Sequence, residues 1–215
     1  CALPIYFNDN SAEKEVLKIV VVGKYGAGKT AFIRQYVHHL YSEYYRSTIG
    51  VDFAHKEIQW SDDCVIGLQL WDVSGQAKFQ EMTRMYYQSA VGALVVYDLT
   101  DKESLKYASF WKHDIDKKVV TDQMKPIPCL LLGNKSDITK ERIHKSNEIK
   151  HFCERNGFVG YFEVSAKTSE NVENSVLFLV DYIKKNNIKP DIVDSENCVS
   201  IASDAVDEGD RKSVV

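Results

Sequence analysis

The residues best equipped for chemistry stand near the start of the chain, as Gly23-Lys24-Tyr25-Gly26-Ala27-Gly28-Lys29-Thr30. The spacing is G-x-x-x-x-G-K-[ST]. Glycines let the backbone wrap an anion with successive N–H groups turned inward. The N-terminus of the helix that follows adds its partial positive charge. Lys29 can reach a β- and a γ-phosphate, and the Thr30 hydroxyl can ligate Mg²⁺. Gly23, Tyr25, Gly26, Ala27, Gly28 and Ala31 complete the cradle. A Gly-rich turn with a chance Lys-Thr is the plainer reading, so the motif needs a buried strand before it and a helix after it.

Three further groups narrow the chemistry. In Asp72-Val73-Ser74-Gly75-Gln76, a carboxylate can hold Mg²⁺ through water, Gly75 can offer its N–H to a γ-phosphate, and Gln76 can position an attacking water. In Asn134-Lys135-Ser136-Asp137, the Asp137 carboxylate can accept two donors from one edge of guanine, N1–H and N2–H. Asn134 can bind the opposite edge or tie loops together, and the Lys135 stem can lie over the base. Adenine lacks the donor pair, which argues against a P-loop ATPase or a kinase of small substrates. In Ser165-Ala166-Lys167, the Ala166 N–H can meet the guanine O6. Any one of these tetrapeptides is ordinarily a turn, since Asn, Asp and Ser populate loops. Four motifs, the Gly23–Thr30 loop included, in this order and each at a strand end, exceed coincidence.

The elements that must position these groups alternate along the chain. Val16–Val22 is a nearly all-apolar strand, suited to burial on both faces. A helix is expected from Thr30 to about His39. Strands Val51–Trp60 and Val65–Val73 flank a turn at 61–64 and should form an antiparallel hairpin. A short helix around Met82–Ala90 leads to the strand Gly92–Asp98. Helix follows from about Lys102 to Lys118, then the strand Pro126–Gly133, a helix near Lys145–Asn156 and the strand Val159–Val164. The last helix, about Asn171–Lys185, places Val172, Val176, Leu179, Val180 and Ile183 at helical spacing. The fold class is therefore α/β: a six-stranded, mainly parallel sheet with one antiparallel edge strand and helices on both faces. In such sheets ligands sit at the carboxyl ends of the strands.

Composition sets limits around this core. The chain has 215 residues, 44% of them hydrophobic and 27% charged, with net charge −4. This suits one globular domain and argues against nucleic-acid binding by bulk charge. From Asn187 onward three basic residues face seven acidic ones, so the net charge belongs to that segment and residues 1–186 balance. Residues 1–14 read as a flexible extension, 15–186 as the folded domain and 187–215 as a disordered acidic tail. Five scattered Cys without metal-binding spacing read as reduced thiols of a cytoplasmic protein. No apolar run reaches the roughly 20 residues of a membrane span, and no signal peptide is visible.

With these residues in hand, the stretch from Glu15 to Lys185 resembles a small GTPase of the Ras superfamily, of P-loop NTPase fold, and specifically a Rab. Ser47-Thr48-Ile49-Gly50-Val51-Asp52-Phe53, Leu70-Trp71-Asp72-Val73-Ser74-Gly75-Gln76, Tyr86-Tyr87 and Asn134-Lys135-Ser136-Asp137 carry the likeness. Val51-Asp52-Phe53-Ala54, Met82-Thr83-Arg84-Met85-Tyr86-Tyr87 and Phe162-Glu163-Val164-Ser165-Ala166-Lys167 are similar to the branch linked to lysosome-related organelles, pigment granules and mitochondria.

The resemblance implies GTP or GDP as bound nucleotide, Mg²⁺ held by Thr30, Thr48 and Asp72, and hydrolysis relying on Gln76, Lys29 and Thr48. It implies that Tyr41 covers the guanine and that Phe53, Trp71 and Tyr86 display the nucleotide state to effectors. Two switches follow, switch I at about Tyr41–Val51 and switch II at about Gly75–Tyr87. An exchange factor, a GTPase-activating protein and effectors are the implied partners, and a monomer cycling onto the cytosolic face of endomembranes is the implied setting.

Three features depart from the family pattern. Tyr25 stands where a small P-loop residue is common, and Ser74 where alanine is usual before Gly75. Both predict slower hydrolysis with nucleotide binding intact, and they leave room for a GTP-loaded scaffold with negligible turnover. Rabs normally end in prenylated cysteines, whereas this chain ends Arg211-Lys212-Ser213-Val214-Val215. Peripheral membrane association is still expected, with Cys198 read as a tail thiol and either a truncated end or membrane partners supplying the anchor.

Overall fold

The computed structural model describes residues 13–44, 47–76, 83–138, 143–144 and 146–190. Residues 1–12, the tail from 191 with Cys198, and residues 77–82 of switch II lie outside them. The described chain runs β1 (Glu13–Gly23), α1 (Lys29–His38), β2 (Val51–Ser61), β3 (Cys64–Val73), α2 (Thr83–Tyr87), β4 (Gly92–Asp98), α3 (Ser104–Lys118), β5 (Cys129–Asn134), α4 (Ser146–Asn156), β6 (Gly160–Glu163) and α5 (Val172–Lys185).

The six strands form one sheet in the order β2-β3-β1-β4-β5-β6. β2 pairs antiparallel with β3, and every other neighbour pair is parallel. The hairpin turns at 62–63, between Ser61 and Cys64.

Successive residues of the central strands feed opposite cores. Ile19, Val21, Leu94, Val96, Leu130 and Leu132 pack beneath α1 and α5 with Phe32, Tyr36, Val176, Leu179 and Ile183. Val20, Val22, Val95, Tyr97 and Leu131 pack beneath α3 and α4 with Ala108, Trp111, Ile115 and Ile149. That two-sided burial is why these strands read as unbroken apolar runs. Edge strand β2 instead alternates exposed and half-buried residues. All five apolar positions expected on α5 are buried.

Several boundaries differ from expectation: β1 begins at Glu13 rather than Val16, so residues 13–14 pair with β3 instead of belonging to a flexible extension, and α2 ends at Tyr87 rather than Ala90. β5 begins at Cys129 rather than Pro126, because Pro126 and Pro128 have no N–H to give a ladder; Pro126 makes only an isolated bridge to Val120. Residues 187–190, assigned to the tail, lie on the domain. The Ile188 N–H donates to Ile183, its side chain packs on the core, and Pro190 pairs with Thr121.

Candidate functional site

The parallel strands end at Gly23, Val73, Asp98, Asn134 and Glu163, along one edge of the sheet. The loops after them enclose a cleft of about 320 Å³. Of the residues expected to meet nucleotide, Tyr25, Gly26, Gly28, Lys29, Thr30, Ala31, Tyr41, Thr48, Gly75, Asn134, Lys135, Asp137, Ala166 and Lys167 line it. Gly23, Ala27 and Ser165 stand behind that lining and hold it.

The loop before α1 is shaped by its glycines. Gly28 has φ +90°, and a Cβ there would fall 2.2 Å from Asn134 Nδ2. Only glycine tolerates both constraints. Lys29 is buried and folds back, its ammonium donating to the carbonyls of Gly23 at 3.0 Å and Lys24 at 3.3 Å. Burial pushes its pKa down, with Asp72 opposing. A cation held in this way stands ready for an anion that would restore its full set of charged partners.

Beside Lys29, three oxygen-bearing side chains converge from three elements. Thr30 Oγ1 lies 2.8 Å from Thr48 Oγ1, and both hydroxyls reach Asp72 Oδ2, at 2.5 and 3.1 Å. Asp72 is 2% exposed. Burial raises its pKa, while Lys29 and the two hydroxyls oppose the rise. Its Oδ1 is buried without a hydrogen-bond partner among the described residues. Two hydroxyls and a carboxylate with an unmet oxygen are the hard donors that Mg²⁺ takes, usually with several waters retained. The expected set therefore fits the ion.

The base side is interlocked. Asn134 Nδ2 donates to the Ala27 carbonyl at 2.9 Å, and its Oδ1 accepts the Ala166 N–H at 3.2 Å. One side chain thus joins the loops after β1, β5 and β6. Ser165 Oγ donates to Asp137 Oδ1 at 2.6 Å and accepts the Thr168 N–H at 3.0 Å, which fixes the carboxylate. Lys135, with φ +70°, pairs with Asp98 Oδ2 at 2.5 Å.

On the switch side, Gly75 packs so close to the phosphate loop that a Cβ would fall 2.4 Å from the Tyr25 nitrogen. Tyr25 itself is 48% exposed. Gln76 donates through Nε2 to Ser47 Oγ at 2.7 Å, so its amide is directed at switch I in this arrangement. Phe53 and Trp71 meet edge to face with ring centroids 5.8 Å apart. Tyr86 packs on the same core cluster as Trp71, its hydroxyl beside Gly50. Lys18 Nζ lies 3.7 Å from the centre of the Trp71 ring.

Sequence reasoning missed Asp98, which anchors Lys135, although an acidic residue ending a parallel strand was a usable signal. It also missed Arg34, Ser42, Glu43, Tyr44 and Ile138, which line the cleft. Arg34 lies one helical turn beyond Thr30 and was legible from that spacing. The Glu43 pairing with Lys167 at 3.1 Å spans 124 residues and left no local trace.

Known proteins share this plan. The Ras family matches residues 18–185. The Ras-related protein Rab-32A of Dictyostelium discoideum is 45% identical over 185 residues, covering 85% of this chain and 84% of that protein. The human Ras-related protein Rab-32 is 44% identical over 173 residues, 80% and 77% of the two chains. The rat Ras-related protein Rab-7L1 is 39% identical over 180 residues, 84% and 87%. Family, relatives and strand-end geometry agree: the chain belongs to the Ras family and, within it, to the Rab small GTPases, GTP-hydrolysing switches of membrane traffic that work through exchange factors, activating proteins and effectors.

Proposed function

We propose that the cleft takes GTP or GDP with Mg²⁺ in the following way. Lys29 and the N–H groups of residues 26–31 hold the phosphates. Thr30, Thr48 and Asp72 would hold Mg²⁺, and the ion, when bound, would offset phosphate charge. Asp137 reads the guanine donors, the Ala166 N–H faces O6, the Lys135 stem covers one face and Tyr41 approaches from switch I. Gly75 senses the γ-phosphate, and Gln76 orients the attacking water once it leaves Ser47. Catalysis is then mostly positioning and electrostatics.

The observation that carries this reading is the meeting of Thr30, Thr48 and Asp72 beside Lys29, with Asp72 Oδ1 unmet. Its test is calorimetric titration of GDP, GTP and ADP with and without Mg²⁺. Guanine nucleotides should bind far more tightly than ADP, and Mg²⁺ should strengthen them. Equal affinity for ADP would remove Asp137 from the role.

In this reading residues 13–190 form the nucleotide domain between a flexible N-terminal extension and an acidic tail. The protein is a monomer and a peripheral membrane protein. Its compartment is the cytosolic face of an endomembrane, endosomal or lysosome-related, Golgi-derived or mitochondrial, a reading that draws on the resemblance to the Rab branch to which proteins named Rab-32 and Rab-7L1 are similar. Phe53, Trp71 and Tyr86 form the effector face, and Tyr25 with Ser74 slows turnover. Cell imaging of the tagged full chain against organelle markers tests the compartment; a wholly cytosolic GTP-loaded protein would overturn it.

A further inference from the structure

The β2–β3 ladder ends at Val51 and Val73, but the two chains stay together beyond it. The Ser74 N–H donates to the Gly50 carbonyl at 2.9 Å. Ser74 Oγ then donates to the Thr48 carbonyl at 3.0 Å and accepts the Gln76 N–H at 3.4 Å. Gln76 Nε2 on Ser47 Oγ adds a last tie. Ser74 is 2% exposed, so its hydroxyl works where water competes little.

We propose that Ser74 is a positioning residue that fastens switch I in its closed arrangement through the Thr48 carbonyl. Thr48 turns its hydroxyl toward Asp72 and Thr30, and that pose places its carbonyl over Ser74. When Thr48 swings away, the bond to Ser74 is lost together with the contact to Asp72. The Ser74 N–H bond uses backbone and survives any side chain. The Oγ bond belongs to serine and is absent from alanine at the same place. The hydroxyl therefore adds stability to the closed pose alone, and a hydrogen bond of this kind shifts a two-state population about two- to tenfold.

The inference rests on the proposed nucleotide reading, and one experiment separates the two. Wild type and Ser74→Ala, each loaded with a non-hydrolysable GTP analogue and Mg²⁺, are compared by ³¹P NMR of the γ-phosphorus. The closed-to-open ratio should fall about two- to tenfold in Ser74→Ala. The GDP dissociation rate, measured in parallel, should stay unchanged because the bond is absent once Thr48 has turned away. An unchanged γ-phosphorus ratio overturns the proposal. An equal loss of GDP and analogue binding overturns it too, by showing a merely structural role. Failure of the wild type to bind the analogue at all would instead bring down the nucleotide reading beneath it. Removing one oxygen leaves a space smaller than a methyl group, so Ser74→Ala keeps the fold.

Discussion

The two halves of the cleft are built differently. On the base and β-phosphate side, Asn134 joins three loops, Ser165 fixes Asp137 and Asp98 fixes Lys135. Asn134 and Asp98 end buried strands, and Ser165 follows β6 by two residues. On the switch side, Thr48, Ser74 and Gln76 are joined by single hydrogen bonds between segments that reach past the sheet. The first half is a grip whose shape the core dictates. The second is a set of weak fasteners, each worth about 1 kcal/mol, which one phosphate can outweigh. A switch needs both, since a ligand shifts only states that are close in energy.

Substitutions can break this contrast, the largest effects falling on the grip. Lys29→Ala removes the buried cation and should weaken GDP binding by on the order of a hundredfold, read by fluorescence of a labelled nucleotide. Retained affinity would mean that backbone N–H groups suffice. Asp137→Ala should cost GDP about ten- to hundredfold while leaving ADP as weak as before, so the ratio of the two is the informative number.

Asp72→Asn sharpens the boundary between the halves. Mg²⁺ affinity of the nucleotide complex should fall about ten- to hundredfold. The nucleotide-free chain should become more stable near neutral pH. The folded carboxyl is raised by burial above its ordinary value, so its ionised form penalises the fold once pH exceeds the unfolded carboxylate range. Thermal melting with and without Mg²⁺ separates the two consequences, and a destabilised metal-free variant would contradict the second.

On the switch side effects are smaller. Tyr25→Ser should raise the single-turnover hydrolysis rate several-fold without changing GDP affinity, and equal rates would clear Tyr25 of slowing the reaction. The smallest effect is expected at Lys18. Burial lowers its pKa to about 8, so the folded state gives up a proton there that the unfolded chain keeps until higher pH. Wild-type stability should therefore gain on that of Lys18→Met as pH rises above about 8. Parallel melting curves of the two proteins between neutral and mildly alkaline pH provide the check.

The same contrast explains what could be read from the chain. Val20, Val22, Leu94 and Leu131 declared the sheet because strands buried on both faces need unbroken apolar runs. The phosphate loop and the Asn134–Asp137 loop were legible because strand-end chemistry demands particular residue types at short spacing. Asp98 and Glu43 were not singled out, since their partners Lys135 and Lys167 lie 37 and 124 residues away. The turn of Gln76 toward Ser47 was also hidden. Nothing in a sequence distinguishes a glutamine facing water from one facing a serine when both poses cost little.

The pairing of Pro190 with Thr121 places residue 190 at one end of the domain. Thr121 lies between α3 and β5, at the pole of the sheet remote from the strand ends that carry the cleft. Residue 190, the last described, therefore sits at that pole. If the proposed membrane association acts through that pole, the nucleotide cleft and the Phe53–Trp71 pair would face away from the attachment surface. On that proposal exchange, activation and recognition would share one open hemisphere, and the domain could stay held to a surface while its message is read.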